Sequence, residues 1–189
     1  DLRMSRGLGD VYKRQLHSLS DHFSEQTIQV ILSAYMQYSE DTNPTAQAIR
    51  KAYGELEHAY TAENIIPFSS DRKWGAMHLS NLGTVFLGAP EMLLKENPAP
   101  VVEAQARGSR VLVLAHSSEL ISMQELKLPE NLEGIAVIEI TDPIREGASD
   151  TLEYLRSQGV DLKIISGDNP VTVSYICLLY TSPSPRDMR

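Results

Sequence analysis

The sequence predicts a mixed α/β fold: an α+β domain in which helices flank an antiparallel sheet, followed by the start of a parallel β-α-β unit. Three observations carry this. Two stretches with helical periodicity open the chain, short apolar runs of strand length fill its middle, and an apolar run, an amphipathic helix and a second apolar run close it.

Each element follows from local pattern. Between Asp21 and Tyr38, the residues Phe23, Ile28, Ile31, Ala34, Tyr35 and Tyr38 fall on one helical face. Asn43-Pro44 supplies a capping side chain and then a proline at the first helical position, so a second helix is expected from there toward His58, with Pro67 closing the helical part. Strands are expected over Lys73–Ser80, Gly83–Leu87 and Arg110–Ala115, with Asn81-Leu82-Gly83 turning a hairpin between the first two and a helix near Pro98–Arg107. The run Gly134–Ile140 leads into Asp142-Pro143, a helix over Glu146–Gln158 and the run Val160–Ile165. Ile144, Ala148, Leu152 and Leu155 give that helix one apolar face, and Gly159 ends it. Chain chirality makes such a crossover right-handed with its two strands parallel, as in a Rossmann-like sheet.

Composition narrows the function classes. With 42% hydrophobic and 22% charged residues over 189 positions, the chain has the make-up and length for a packed core. A formal charge of −8, without clustered Lys and Arg, disfavours a nucleic-acid partner. A single cysteine, Cys177, allows no internal disulfide. His17, His22, His58, His78 and His116 are dispersed and no CxxC or HExxH pattern occurs, so no metal site is expected in the chain itself. No apolar run approaches the roughly 18–20 residues of a membrane-spanning helix, so the segment is not expected to be membrane-inserted. Residues 1–15, basic and aperiodic, and 176–189, with Ser-Pro-Ser-Pro, are expected to be non-native or disordered flanks.

Chemistry-bearing residues gather at expected strand ends. Ser166-Gly167-Asp168-Asn169-Pro170 follows the last apolar run, at the edge where α/β sheets hold phosphates. A hydroxyl and backbone N–H groups there can hold a phosphoryl oxygen, and Asp168 can orient magnesium-bound water or a ribose; alone, the same string also serves as a turn. Thr141-Asp142-Pro143-Ile144-Arg145 puts a second carboxylate at that edge and an arginine just inside the next helix, though Asp-Pro is also a plain helix start. In Phe68-Ser69-Ser70-Asp71-Arg72-Lys73, a ring able to stack on a purine precedes cations able to neutralise phosphates; a core ring beside a solvated loop reads the same way. Gly88-Ala89-Pro90-Glu91 offers close backbone approach and a helix start at Pro90. Arg110, after Gly108, can reach a phosphate or a neighbouring carboxylate.

Taken in order, Phe68-Ser-Ser-Asp-Arg-Lys73, Gly88-Ala-Pro-Glu91, Gly108-Ser-Arg110-Val-Leu112, Asp142-Pro-Ile-Arg145 and Ser166-Gly-Asp-Asn169 resemble the P-type ATPase family, over roughly Leu16 to Ser174. The resemblance implies a nucleotide-binding domain over residues 16–131 and part of a phosphorylation domain, of haloacid dehalogenase type, over 132–175. It implies ATP as ligand, with Mg2+ entering alongside it. Phe68 would stack on adenine, Lys73, Gly88 and Arg110 would line the nucleotide site, and Glu40 or Asp41 would add a polar wall. Asp142, Arg145, Ser166, Gly167 and Asp168 would form the phosphoryl and magnesium environment. The implied partners are the phosphorylation, actuator and transmembrane domains of a cation pump, with this chain a cytoplasmic segment of an integral protein of the plasma membrane. In such a pump ATP hydrolysis drives cation transport through an aspartyl-phosphate. The chain departs from the family pattern at Leu87, where many members have lysine, and at Ser166, where threonine is usual. It contains neither Asp-Lys-Thr-Gly-Thr nor Gly-Asp-Gly-hydrophobic-Asn-Asp, so turnover by the chain alone is not expected. The alternatives are a soluble phosphohydrolase of the haloacid dehalogenase superfamily and a nucleotide-binding module without catalysis.

Overall fold

The computed structural model describes residues 13–121, 126–141, 148–160, 170 and 174. In chain order the elements are β1 (Lys13–Ser18), α1 (Glu25–Tyr38), α2 (Pro44–Tyr53), β2 (Ala62–Ser69), β3 (Trp74–Leu79), β4 (Gly83–Gly88), α3 (Pro90–Leu93), α4 (Ala99–Ala106), β5 (Arg110–Ser117), β6 (Glu133–Thr141) and α5 (Ala148–Ser157).

The two opening helices form where their caps direct. Ser24 accepts the Thr27 N–H at 3.1 Å to begin α1, and Asn43 accepts the Ala46 N–H at 2.9 Å with Pro44 in the first turn of α2. The second helix stops at Tyr53, short of the expected approach to His58, because Gly54 caps it. Six strands make one antiparallel sheet in the order β1-β6-β5-β4-β3-β2. The hairpin β3–β4 turns through Asn81, which takes a left-handed φ of 59°, as its short polar side chain tolerates.

Strand alternation divides the core in two. Met77, Leu79, Val85, Leu87, Leu114 and Ile138 pack with Ile28, Ile31, Tyr35 and Ile49 of α1 and α2. Trp74, Ala76, Phe86, Val113 and Val137 point the opposite way, toward Leu93, Val101 and Ala104 of α3 and α4. Helices thus cover both faces of the central strands, which is why β4 is buried from end to end.

Three expectations are corrected. Pro67 does not terminate a helical region; it lies within β2, at the sheet edge and inside a register slip between Ile66 and Ser69, where no ladder donor is missed. Residues 13–15 are in ordered structure, since β1 begins at Lys13 and pairs with β6. Nor does β6 open a parallel unit at Leu132: it runs antiparallel between β1 and β5, in the same sheet as everything before it. Its expected parallel partner, residues 160–165, lies outside the described residues beyond Val160, as does the tail 176–189.

A carboxylate is buried in β6. Glu139 is 4% exposed and accepts from Ser109 Oγ at 2.6 Å and from Arg107 at 2.9 Å, with His17 Nε2 at 3.4 Å. Burial alone would raise its pKa; the bonds from Ser109, Arg107 and His17 outweigh burial and hold it below the ordinary carboxylate value. The cluster fastens β1, the α4–β5 turn and β6 together two residue pairs before the β1–β6 ladder ends at Thr141.

Candidate functional site

Antiparallel order decides which loops meet. The end of β2, the start of β3, the end of β4 and the start of β5 all fall at one end of the sheet, so Phe68, Lys73, Leu87 to Glu91 and Arg110 are brought together from four segments distant in sequence. The first turn of α2 approaches from above. Between them lies a cavity of about 670 Å³, lined by Phe68, Lys73, Glu91, Arg110, Tyr35 and Asp41 among others. That volume falls within the roughly 300–1,000 Å³ of small-molecule sites.

Phe68 sits on the edge strand with 37% of its surface exposed, a ring left half-solvated at a cavity rim. The following turn sorts the two cations. Arg72 lies 5.0 Å over the Trp74 ring and donates to the Pro67 carbonyl, so it closes the turn. Lys73 has a left-handed φ of 58° and its N–H donates to the Ser69 carbonyl at 2.7 Å. Its ammonium reaches Glu91 Oε1 at 2.9 Å on the cavity wall. Burial tends to raise the Glu91 carboxyl, and the Lys73 bond and charge outweigh that to leave it lowered.

Arg110 begins β5, and its guanidinium donates to Thr45 Oγ1 at 2.8 Å, linking the strand to the first turn of α2. The N-terminal end of that ten-residue helix adds positive potential where Lys73 and Arg110 already supply charge. Gly88 is needed for close approach: a Cβ there would lie 2.5 Å from the Lys73 carbonyl oxygen and 2.5 Å from Trp74 Cβ. Gly88 therefore acts through packing beneath the wall formed by its neighbours Leu87 and Ala89. The Leu87 side chain is 8% exposed and makes that wall apolar.

The structure so assembles Phe68, Lys73 and Arg110 around one cavity, with Asp41 in its wall and Gly88 in the strand behind it. Asp142, Arg145, Ser166, Gly167 and Asp168 lie outside the described residues. Thr45 and Tyr35 are among the cavity residues that went unread in the sequence. Thr45 was hidden as an ordinary first-turn residue, and Tyr35 as a member of an apolar stripe. Among the described residues no helix is long and apolar enough to cross a membrane, and no cluster of His, Cys, Asp and Glu is arranged to hold a metal.

Comparison with known proteins agrees on fold and kinship. Residues 11–182 match the family model described as haloacid dehalogenase-like hydrolase. The chain is 58% identical over 159 residues to a probable cation-transporting ATPase, exp7, of Streptococcus pneumoniae, a match covering 84% of this chain and 20% of that protein. It is 31% identical over 157 residues to the calcium-transporting ATPase CtpE of Mycobacterium bovis, covering 80% of this chain and 19% of that one. Among solved structures, a zinc-transporting PIB-type ATPase in its E2.Pi state superposes with a TM-score of 0.55 at 20% identity, over 89% of this chain and 25% of that chain. The chain thus spans about one fifth of the length of the curated relatives it matches.

Proposed function

Because the chain belongs to the haloacid dehalogenase-like hydrolases, we propose that it is the ATP-binding segment of a P-type cation-transporting ATPase. The observation that carries this reading is the cavity that gathers Phe68, Lys73 and Arg110 from separate elements. An exposed ring at a rim offers a face to a purine base. Two cations and a helix N-terminus beyond it suit a triphosphate, whose charge would otherwise be repelled by a chain of formal charge −8. Likeness to cation-transporting ATPases of which this chain spans a fifth supports placing the segment within such a pump.

In this reading Phe68 stacks on the base. Lys73 exchanges its bond to Glu91 for the phosphate chain, and Thr45 holds Arg110 extended across the mouth of the cavity. Magnesium, arriving with ATP, neutralises phosphate charge. Asp142, Arg145, Ser166, Gly167 and Asp168 contribute the environment of the transferred phosphoryl group. The nucleophilic aspartate, which would form the aspartyl-phosphate, is supplied by another part of the pump, as the sequence lacks its motif. The segment accordingly faces the cytoplasm, with the phosphorylation, actuator and transmembrane domains as partners at the plasma membrane.

Calorimetric titration of the chain with ATP and magnesium tests this. Saturable binding is expected, weakened roughly 5- to 150-fold in Phe68→Ala, the loss of a base–aromatic stack worth about 1–3 kcal/mol. Absence of binding at millimolar nucleotide would sink the reading.

A further inference from the structure

We propose that the Ser109–Glu139 pair positions Arg110: it fixes the start of β5 from the far side of the sheet, so that the guanidinium is held in place for the phosphate chain while neither residue touches ligand. The proposal rests on the nucleotide reading of the cavity and gives a task to a buried cluster which that reading leaves unused.

Arg110 stands where a strand ought to be loose. It pairs with Ile140 as the outermost pair of the β5–β6 ladder, and strand ends fray. Alternation puts Arg110 and Ile140 on the side of α1 and α2, where the guanidinium meets Thr45, and puts the next pair, Val111 and Glu139, on the side of α3 and α4. The residue just before Arg110 is tied in two directions. Helix α4 ends in a turn where Gly108 takes a left-handed φ of 75°; the Gly108 N–H donates to the Gln105 carbonyl and the Ser109 N–H to the Ala104 carbonyl, both at 3.0 Å, the paired bonds of a glycine-closed helix stop. Ser109, 1% exposed, sends its hydroxyl toward β6, donating to Glu139 Oε1 at 2.6 Å and meeting Thr141 Oγ1 at 3.0 Å. Those two residues flank Ile140, so the hydroxyl straddles the pair that carries Arg110. Arg107 and His17 hold the other carboxylate oxygen, Oε2, at 2.9 and 3.4 Å, which keeps Oε1 aimed at Ser109.

Stability alone does not call for a carboxylate at this place. Burying it costs desolvation, and well-packed apolar side chains of similar volume often join elements as firmly. Hydrogen bonds add direction, which apolar contacts lack. With its backbone fixed through Ser109 and its guanidinium through Thr45, Arg110 is held at both ends. Part of the ordering that a long side chain undergoes on binding is thus complete before ligand arrives.

The experiment is a mutant cycle read by calorimetric titration of the chain with ATP and magnesium, at a temperature well below the melting of every variant. It compares wild type, Ser109→Ala, Arg110→Ala, Phe68→Ala and the two double variants that combine Ser109→Ala with each of the others. Ser109→Ala should lose roughly two- to tenfold in affinity, the scale of leaving one long side chain to be ordered on binding. Added to Arg110→Ala it should cost nothing more, because the group it positions is gone; added to Phe68→Ala its loss should be undiminished. Arg107→Gln, which releases Oε2 of Glu139, should show the same pattern with a smaller factor, and with its side chain 51% exposed it keeps the cycle readable if Ser109→Ala does not fold. A merely structural role would lower affinity by the same factor in both backgrounds. That outcome, or Ser109→Ala and Arg107→Gln proteins that bind ATP like wild type, overturns this proposal alone. A wild type that binds no ATP overturns the nucleotide reading and this proposal with it.

Discussion

Replacing Gly88 by alanine measures how tightly the cavity end of the sheet is built. The new methyl would fall 2.5 Å from the Lys73 carbonyl oxygen, 2.5 Å from Trp74 Cβ and 2.8 Å from Trp74 Cα, where contact at optimal separation needs about 3.5–4 Å. No rotamer change relieves this, because the obstacles are the backbone of β3 and the root of Trp74, a side chain only 2% exposed. The strands must part by roughly 1 Å at the point where the Ala89 N–H donates to the Lys73 carbonyl at 2.9 Å. Overpacking of this kind costs about 1–3 kcal/mol. A chain of this size loses about 2–4 °C of Tm per kcal/mol, so thermal unfolding followed by circular dichroism should show a fall of roughly 2–12 °C. Lys73 and Leu87 move with the strands, so nucleotide affinity should drop at temperatures where the variant is still fully folded. A Gly88→Ala protein that melts within about 1 °C of wild type and binds ATP equally well would refute the close packing argued here.

Two further outcomes follow from the charged groups. Because the folded pKa of Glu139 is lowered, the unfolded chain binds the extra proton; the stability held by this cluster is complete above about pH 4.5 and is lost as pH falls through the folded value. Glu139→Gln should therefore be less stable at neutral pH and show a shallower loss of Tm on acidification than wild type; parallel acid profiles would contradict it. Glu91→Gln removes a negative charge from the cavity wall and frees Lys73. The pair is about half exposed, so stability should change by less than about 1 kcal/mol. ATP affinity should rise a few-fold at low salt and the gain should fade near molar salt, as read by titration at two ionic strengths.

Much of this architecture was legible because it is local. The Asn43-Pro44 cap, the spaced apolar residues of α1, and the strand runs Lys73–Ser80, Gly83–Leu87 and Arg110–Ala115 each state their conformation within a few residues, and β3, β4 and β5 form where expected. What escaped was set by distant partners. The strand β2 contains a proline that reads as a stop, and only its edge position, with a register slip, makes it a strand. The basic segment of β1 carries no strand pattern of its own and is ordered by pairing with β6. The direction of β6 likewise depends on its neighbours: the largely apolar run Gly134–Ile140 within it suits a parallel or an antiparallel strand equally. In the site, Phe68, Lys73 and Arg110 were readable as residue types suited to a nucleotide. Arg72 and Lys73 could be told apart only by the turn, which sends one onto Trp74 and the other into the cavity.

The pairing of Lys13 with Thr141 has a mechanical consequence. The first and last strands of the sheet lie side by side and end together, so Lys13 and Thr141 are held about 5 Å apart, the spacing of an antiparallel pair. Tension on residues beyond Thr141 would act along β6, which is laddered on both sides, and would have to shear two rows of bonds at once rather than peel one. The cavity lies at the same end of the sheet as this strand pair, since Arg110, in its wall, pairs with Ile140, next to Thr141.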